Sequence, residues 1–142
     1  MADVAVLGCG AWGTALAQML ASDGRDVTLW ALEPEVVAEI NADHRNTPFL
    51  PDAELAPTIR ATGDLADVAD AQVVLAVVPA QHLRKVLAQM PAFAGDLVIC
   101  AKGIEQSTGA LMSDAAHDAC PQATLAALSG PTFAHEVAAG LP

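Results

Sequence analysis

Short apolar segments alternate along the chain with longer segments in which apolar residues recur every three or four positions. The short segments are rich in β-branched residues, as buried strands are, whereas the longer ones have the spacing of amphipathic helices. Strands are predicted at residues 4–7, 27–30, 59–62, 73–78, 97–101 and 124–128. Helices are predicted at residues 12–22, 34–41, 64–68, 81–90, 108–119 and 133–139.

This alternation predicts an α/β fold in which helices cover both faces of a doubly wound, mostly parallel sheet. Residues 73–78 are apolar throughout, as expected of a strand that is covered on both sides. The 142 residues, of which 54% are hydrophobic, suffice for one core. Since the sequence shows no internal repeat and no linker, residues 1–142 are predicted to form one domain.

A glycine-rich motif, Gly-x-Gly-x-x-Gly, follows the first predicted strand and opens the first predicted helix. Gly8 permits a tight turn, Gly10 lets the backbone approach a pyrophosphate, and Gly13 removes a Cβ that would separate helix from strand. Unpaired N–H groups at the helix N-terminus suit phosphate oxygens. The motif therefore predicts a Rossmann-like dinucleotide site; the alternative is a glycine-rich turn with no ligand.

Glu33 follows the second predicted strand and lies 20 residues beyond Gly13. At about this spacing a carboxylate binds the adenosine ribose hydroxyls of NAD, and its charge repels a 2′-phosphate. The local residues therefore favour NAD, although Arg45 on the next connection keeps NADP open. The alternative role of Glu33 is a solvated residue at the start of a helix.

Lys102 is one of two lysines and directly follows a buried strand, with Gly103 leaving space beside it. Its ammonium group is predicted to reach the crevice at the strand ends, where an oxyanion or phosphate needs a counter-charge. A surface lysine is the alternative. Arg84 and Lys85 are predicted to lie on the solvated face of their helix, and His82 is predicted to be a surface or wall residue rather than a catalytic one.

A turn at residues 129–132 leads from the last predicted strand into the last predicted helix. Its backbone N–H groups and the Thr132 hydroxyl suit a substrate oxygen, while a helix cap is the alternative role for Thr132. The sequence contains no group with the spacing of a metal site, a Ser-His-Asp triad or a pair of catalytic carboxylates.

The formal net charge of −11 argues against nucleic acid and anionic membranes as partners, because both require a basic face. A bound phosphate must therefore be held locally, by helix ends and one or two cations. Cys9, Cys100 and Cys120 are far apart and lack metal-ligand spacing, which favours a reduced, cytoplasmic protein. We expect neither a signal peptide nor a membrane span, since no apolar run approaches about 20 residues.

Several motifs occur in a fixed order along essentially all 142 residues, and the most specific are G-x-G-x-W-G-T-A-L-A and S-G-P-T-F-A. Together they resemble the N-terminal domain of bacterial NAD(P)-dependent glycerol-3-phosphate dehydrogenase. The matching residues are 8–17, Leu29, Trp30, Asn46, 49–51, 77–79, Lys102, Gly103, 129–134, Glu136 and 140–142.

The resemblance implies an oxidoreductase that interconverts dihydroxyacetone phosphate and sn-glycerol 3-phosphate by hydride transfer with NAD or NADP, for glycerophospholipid synthesis. It implies dinucleotide contacts for Ala11, Trp12, Leu32, Lys102 and Ala134. It implies glycerol phosphate contacts for Lys102, Gly130 and Thr132, with Lys102 as the catalytic residue.

Two features depart from the pattern of the family. NADP-preferring members often carry Arg or His where this chain has Leu32 and Glu33. Members also continue into an all-helical domain that holds the proton-accepting lysine, so the resemblance implies that this chain alone binds cofactor but is nearly inactive. A homodimer would form through that second domain.

Two other functions stay open, namely a non-catalytic dinucleotide-sensing module and a two-domain dehydrogenase of hydroxy acids or sugar acids.

Overall fold

The computed structural model describes residues 2–129 and 133–141, which alternate between strands and helices as the sequence predicts. The strands are β1 (Val4–Leu7), β2 (Val27–Trp30), β3 (Ile59–Thr62), β4 (Val73–Ala76), β5 (Asp96–Ile99) and β6 (Thr124–Ala127). The helices are α1 (Ala11–Ala21), α2 (Pro34–Asp43), α3 (Leu65–Ala69), α4 (Leu83–Gln89), α5 (Met112–Ala119) and α6 (Ala134–Ala138). A 3₁₀ turn, Ala80–His82, precedes α4.

The six strands form one parallel sheet in the order β3-β2-β1-β4-β5-β6. The strand order reverses between β1 and β4, where Leu7 lies opposite both Trp30 of β2 and Ala76 of β4. In open sheets of this kind, ligands bind beyond the carboxyl ends of the strands at such a reversal. Ligand-binding residues are therefore expected directly after β1, β2, β4 and β5.

Helices cover both faces of the sheet, which confirms the doubly wound, Rossmann-like fold. On one face, residues of α3, α4 and α5 pack against Ala5, Leu7, Val74, Ala76, Leu97 and Ile99. On the other face, residues of α1 and α2 pack against Val4, Val6, Val27, Leu29, Ile59 and Leu75. Alternate residues of β1 thus contribute to opposite cores, because successive side chains of a strand point to opposite faces.

Three local signals in the sequence end or begin helices at the expected places. Helix α1 ends at Ala21, just before the Asp23-Gly24 pair, and α2 has Pro34 in its first turn. Asp64 caps α3, since its carboxylate accepts a hydrogen bond of 2.9 Å from the backbone N–H of Ala66. Such caps satisfy N–H groups that have no acceptor within the helix.

The prediction of a helix from residue 108 was wrong, because α5 begins at Met112. The preceding residues form a closed loop in which Ile104 and Leu111 pair as an antiparallel bridge. The backbone N–H of Glu105 donates to the carbonyl of Ala110 at 2.9 Å. Since the Thr108 hydroxyl bonds the Glu105 carboxylate at 2.5 Å, it is engaged within the loop rather than in a helix.

Strand β4 also ends earlier than predicted, at Ala76 rather than at residue 78. The Val77 N–H still donates to the Leu7 carbonyl at 2.9 Å, and Val78 is buried. The last two residues of the apolar run therefore continue beyond the strand and pack beside the turn that follows β1.

Candidate functional site

The turn between β1 and α1 requires glycine at two positions. Gly8 has a φ of +124°, and a Cβ there would lie 3.0 Å from the backbone of Val77 and Val78. A Cβ on Gly13 would collide with the carbonyl of Gly8. The glycines thus let the first turn of α1 lie directly against the end of β1 and the segment after β4, as the sequence predicts.

Gly10 has different surroundings, because no described atom lies within 4 Å of the position that its Cβ would take. Gly10 is the N-cap of α1, and the N–H groups of the following three residues have no acceptor within the helix. The first turn of α1, all of which the structure describes, holds no acidic side chain. An accessible backbone and the positive end of an 11-residue helix fit a dinucleotide pyrophosphate.

A buried polar network supports this turn from beneath. The Cys9 carbonyl accepts hydrogen bonds from the Thr14 hydroxyl at 3.0 Å and from the Asn46 amide at 2.9 Å. The same amide donates to the Thr14 hydroxyl at 2.8 Å. Thr14 and Asn46 are both fully buried. Asn46 therefore ties the connection after α2 to the glycine turn, a role that its spacing in the sequence did not indicate.

Glu33, the predicted ribose ligand, lies against the glycine turn. The Cys9 thiol donates to its Oε2 atom at 3.3 Å, across 24 residues of sequence. Burial raises the pKa of the Cys9 thiol to about 12, and the hydrogen bond and charge of Glu33 act in the same direction. No Lys or Arg in the described part of the chain forms an ion pair with Glu33. Its neighbour Leu32 is 74% exposed.

Lys102 follows β5 and is exposed, which agrees with the predicted position at the strand ends and equally with the alternative of a surface lysine. Gly103 beside it has a φ of +111°, and no described atom lies within 4 Å of its Cβ position. The loop that begins here is fastened to the 3₁₀ turn by Gln81. The Gln81 amide donates to the Ile104 carbonyl at 3.0 Å, and its oxygen accepts from the N–H of Gln106 at 2.8 Å.

Arg84 and Glu105 form a second attachment of this loop, which we call the Arg84 clamp. The Arg84 Nε atom lies 3.1 and 3.0 Å from the two carboxylate oxygens of Glu105, and its Nη1 atom lies 2.9 Å from Asp118. Glu105 is only 4% exposed. Arg84, followed by the hydroxyl of Thr108, holds the pKa of Glu105 below its ordinary value. Arg84 thus lies on the outward face of α4, as predicted, and nothing in the sequence pattern indicated its two ion pairs.

The remaining predicted ligands lie around α1 and α6. Helix α6 packs against α1, and Ala134 is half-buried in its first turn. Ala11 and Trp12 occupy the first turn of α1, where Trp12 packs against the core. Gly130 and Thr132 lie outside the described residues.

Within the residues that the structure describes, His82, Arg45 and the three cysteines form no further site. His82 is exposed at the end of the 3₁₀ turn, and Arg45 is exposed on its connection. All three cysteines are free and buried. In residues 2–129 and 133–141, no three His, Cys, Asp or Glu side chains are grouped as metal ligands. None of the helices described there is long and apolar enough to cross a membrane.

A cavity of about 200 Å³ lies on the flank of the sheet beside the edge strand β3. Its lining includes Asp26 and Thr58, which precede their strands, and it contains none of the predicted site residues. It therefore lies apart from the crevice at the strand reversal.

Comparison with known proteins bears on these features. The sequence profile of a family described as NAD-dependent glycerol-3-phosphate dehydrogenase N-terminus matches residues 3–142. The chain is 63% identical over 141 residues to glycerol-3-phosphate dehydrogenase (NAD(P)+) of Erythrobacter litoralis, covering 99% of this chain and 43% of that protein. It is 65% identical over 140 residues to the protein of that name in Novosphingobium aromaticivorans, covering 99% and 42%. The chain thus spans less than half the length of these relatives.

Solved structures give the same match. The fold is similar to glycerol-3-phosphate dehydrogenase (gpsA) from Coxiella burnetii, with a TM-score of 0.88, 33% identity, and coverage of 98% of this chain and 44% of that one. It is also similar to the glycerol-3-phosphate dehydrogenase GPD1 of Saccharomyces cerevisiae, with a TM-score of 0.84, 27% identity, and coverage of 97% and 44%.

Proposed function

The chain belongs to the NAD-dependent glycerol-3-phosphate dehydrogenase family, and we propose that it is the dinucleotide-binding part of an enzyme that interconverts dihydroxyacetone phosphate and sn-glycerol 3-phosphate. The observation that carries this proposal is the glycine turn, whose Gly10 backbone is accessible beside the Glu33 carboxylate. Residues 1–142 act as one NAD(P)-binding domain, and the proton acceptor lies in a further, helical domain. The product serves glycerophospholipid synthesis.

The carboxyl ends of β1 and β4 would hold the dinucleotide. The N–H groups of the first turn of α1, where the helix dipole is positive, would donate hydrogen bonds to its pyrophosphate. Ala11 and Trp12 in that turn, Leu32 after β2 and Ala134 in α6 line its path. The strongly negative chain attracts no phosphate at long range, so these local groups must hold it.

The preferred cofactor is NAD rather than NADP. Glu33 offers carboxylate oxygens to the two ribose hydroxyls, and its negative charge opposes a 2′-phosphate. The exposed Leu32 brings no compensating positive charge. Arg45 forms no ion pair within the described residues, and it would favour NADP if its connection folded back toward the ribose.

The bound nicotinamide supplies or accepts the hydride, and the chain contributes charge and orientation. Lys102 acts on the substrate oxygen at carbon 2, where its ammonium group stabilises the negative charge that develops during reduction. The Gln81 contacts and the Arg84 clamp fix the loop that begins at Lys102, so that this charge is held at the crevice. Gly130 and Thr132 complete the substrate contacts.

Substitution of Lys102 tests this role in the full-length gene product that contains the chain. With Lys102→Ala, we expect kcat/KM for dihydroxyacetone phosphate to fall by at least about 100-fold, because a charge that acts on the reacting oxygen is lost. The dissociation constant of NADH should change by less than about threefold, since the pyrophosphate is held elsewhere.

Lys85→Ala is the matched control, because Lys85 is an exposed lysine on α4. It should leave both quantities unchanged. An unchanged kcat/KM in Lys102→Ala would remove Lys102 from the site, and absence of any turnover with dihydroxyacetone phosphate in the unmodified protein would refute the proposed reaction.

A further inference from the structure

We propose that Cys9 is a positioning residue for cofactor discrimination, because its thiol holds the Glu33 carboxylate against the glycine turn where it opposes a 2′-phosphate. This inference rests on the proposed function, in which Glu33 binds the adenosine ribose. It assigns a task to the side chain between the first two glycines of the motif, a position that the motif itself leaves free.

The backbone of Glu33 is fixed, whereas its side chain needs a partner to stay in place. Its carbonyl accepts hydrogen bonds from Val36 and Val37 at 3.1 and 3.2 Å, so the residue is locked as the N-cap of α2. Glu33 is half-buried, and the Cys9 thiol is the one donor to its carboxylate in the described residues. A long side chain that lacks such a contact gains rotamer entropy by moving freely, so it does not stay in one place.

The thiol is suited to this task because it stays protonated. Cys9 is only 5% exposed, and burial together with the neighbouring carboxylate raises its pKa to about 12. At neutral pH the side chain is therefore a neutral donor and not a thiolate that would repel Glu33. The bond leaves the other carboxylate oxygen without a donor among the described residues, so that oxygen is available to a ribose hydroxyl.

Fixing the carboxylate affects NADPH more than NADH. A held negative charge repels a 2′-phosphate, whereas a free side chain can rotate toward solvent and relieve the repulsion. Loss of the thiol thus weakens NADH binding modestly and weakens the rejection of NADPH. The ratio of the two dissociation constants, NADPH over NADH, reports this effect without a catalytic assay.

Four single variants of the full-length gene product separate the contributions, with both dissociation constants measured by titration of tryptophan fluorescence. Cys9→Ala should lower the NADPH/NADH ratio by about fivefold, as expected for one hydrogen bond to a charged, partly exposed group. Cys9→Ser keeps a hydrogen-bond donor. The logarithm of the NADPH/NADH ratio should therefore recover at least half of the decrease that Cys9→Ala causes. Glu33→Gln should lower the ratio further than Cys9→Ala.

Cys100→Ala is the matched control. Cys100 is also 5% exposed, packs in the same core as Cys9, and its thiol lies 3.8 Å from the Val98 carbonyl rather than beside a carboxylate. It should leave the ratio unchanged, although it removes the same thiol from the same core.

The variants test the positioning role of Cys9 and the ribose role of Glu33 separately. A ratio within about twofold of the unmodified protein in Cys9→Ala, or an equal shift in Cys100→Ala, overturns the positioning role. If Glu33→Gln shifts the ratio but Cys9→Ala does not, the ribose role of Glu33 stands and only the inference about Cys9 fails. If Glu33→Gln leaves the ratio unchanged, the role of Glu33 in the proposed function fails, and the inference falls with it.

Discussion

Gly10 and Gly13 belong to one turn, yet a methyl group added at each meets different surroundings. At Gly13 it would collide with the Gly8 carbonyl, whose carbon lies 2.9 Å from the Cβ position. At Gly10 it would project into open space, with no described atom within 4 Å. Gly13 is therefore required by the packing of the turn, whereas the packing places no such demand on Gly10. In the proposed function, Gly10 is instead kept small for the pyrophosphate.

Alanine at each position should separate stability from binding. Gly13→Ala should lower the free energy of unfolding by about 3 kcal/mol, since backbone must shift to admit the methyl group. Gly10→Ala should change it by only about 1 kcal/mol, the usual cost of alanine at an N-cap. It should weaken NADH binding at least about tenfold, because the methyl group occupies the path of the pyrophosphate. Urea titration and NADH titration measure the two effects. Equal effects of both variants on stability would contradict the distinction.

Residue identity and spacing predicted part of this site and missed the rest. The spacing from Gly13 to Glu33 correctly indicated a carboxylate at the glycine turn, because the end of β2 lies beside the end of β1. The contacts of Cys9 and Asn46 were not predictable, since both join segments far apart in sequence and follow no periodic pattern. Resemblance to the family included Asn46 but gave it no role.

At the scale of elements, the Arg84 clamp joins α4, α5 and the loop that begins at Lys102. Arg84 reaches Glu105 in the loop and Asp118 on α5. Hydrophobic periodicity correctly placed Arg84 on the outward face of α4, but it could not indicate the ion pairs, because the pattern does not show which charge lies opposite. The late start of α5 also depends on a side-chain contact that the pattern cannot show. The Thr108 hydroxyl bonds the Glu105 carboxylate within a closed loop, so residue 108 does not extend the helix.

The clamp should make stability depend on pH in the acid range. The folded protein holds the pKa of Glu105 below the ordinary value of 4.5, so near that pH the folded state binds fewer protons than the unfolded state. The stabilisation is therefore fully present above pH 4.5 and is lost as the pH falls through the lower, folded pKa. Glu105→Gln should be clearly less stable than the unmodified protein at pH 7, with the difference shrinking below pH 4.5.

Asp23→Asn provides the comparison for this experiment. Asp23 also pairs with an arginine, Arg25, but their side chains are 56% and 55% exposed. Because water screens such a pair, its removal should alter stability little at any pH. Urea midpoints between pH 3 and 7 measure both series. A difference for Glu105→Gln that stays constant across this range would show that the ionised pair is not its cause.

At the scale of the whole molecule, the parallel sheet brings the proposed site residues to one edge. The glycine turn follows β1, Glu33 follows β2, and Lys102 follows β5. All six strands run in the same direction. This convergence was predictable from the alternation of strands and helices, because parallel strands joined by helices end at a common edge. The spatial order β3-β2-β1-β4-β5-β6 required the structure, since the pattern along the chain does not specify which strands are neighbours.

Because the molecule is strongly negative, the proposed dinucleotide site must hold phosphate by local contacts. With a formal net charge of −11, the protein repels an anionic cofactor at a distance, so in the proposed function the N-terminus of α1 overcomes this repulsion at close range. Residues 1–142 by themselves should therefore bind NADH while turning over dihydroxyacetone phosphate at less than about 1% of the rate of the full-length gene product, because the proton acceptor is proposed to lie outside them.

Initial rates of reduced-cofactor oxidation by the purified full-length gene product test most directly whether the glycine turn belongs to a glycerol-3-phosphate dehydrogenase. Dihydroxyacetone phosphate should be reduced with NADH, at a higher kcat/KM than with NADPH, and 2-oxo acids or sugar acids should give no comparable rate. NADH binding without oxidation on addition of dihydroxyacetone phosphate would contradict the proposed reaction and leave a dinucleotide-sensing module in its place.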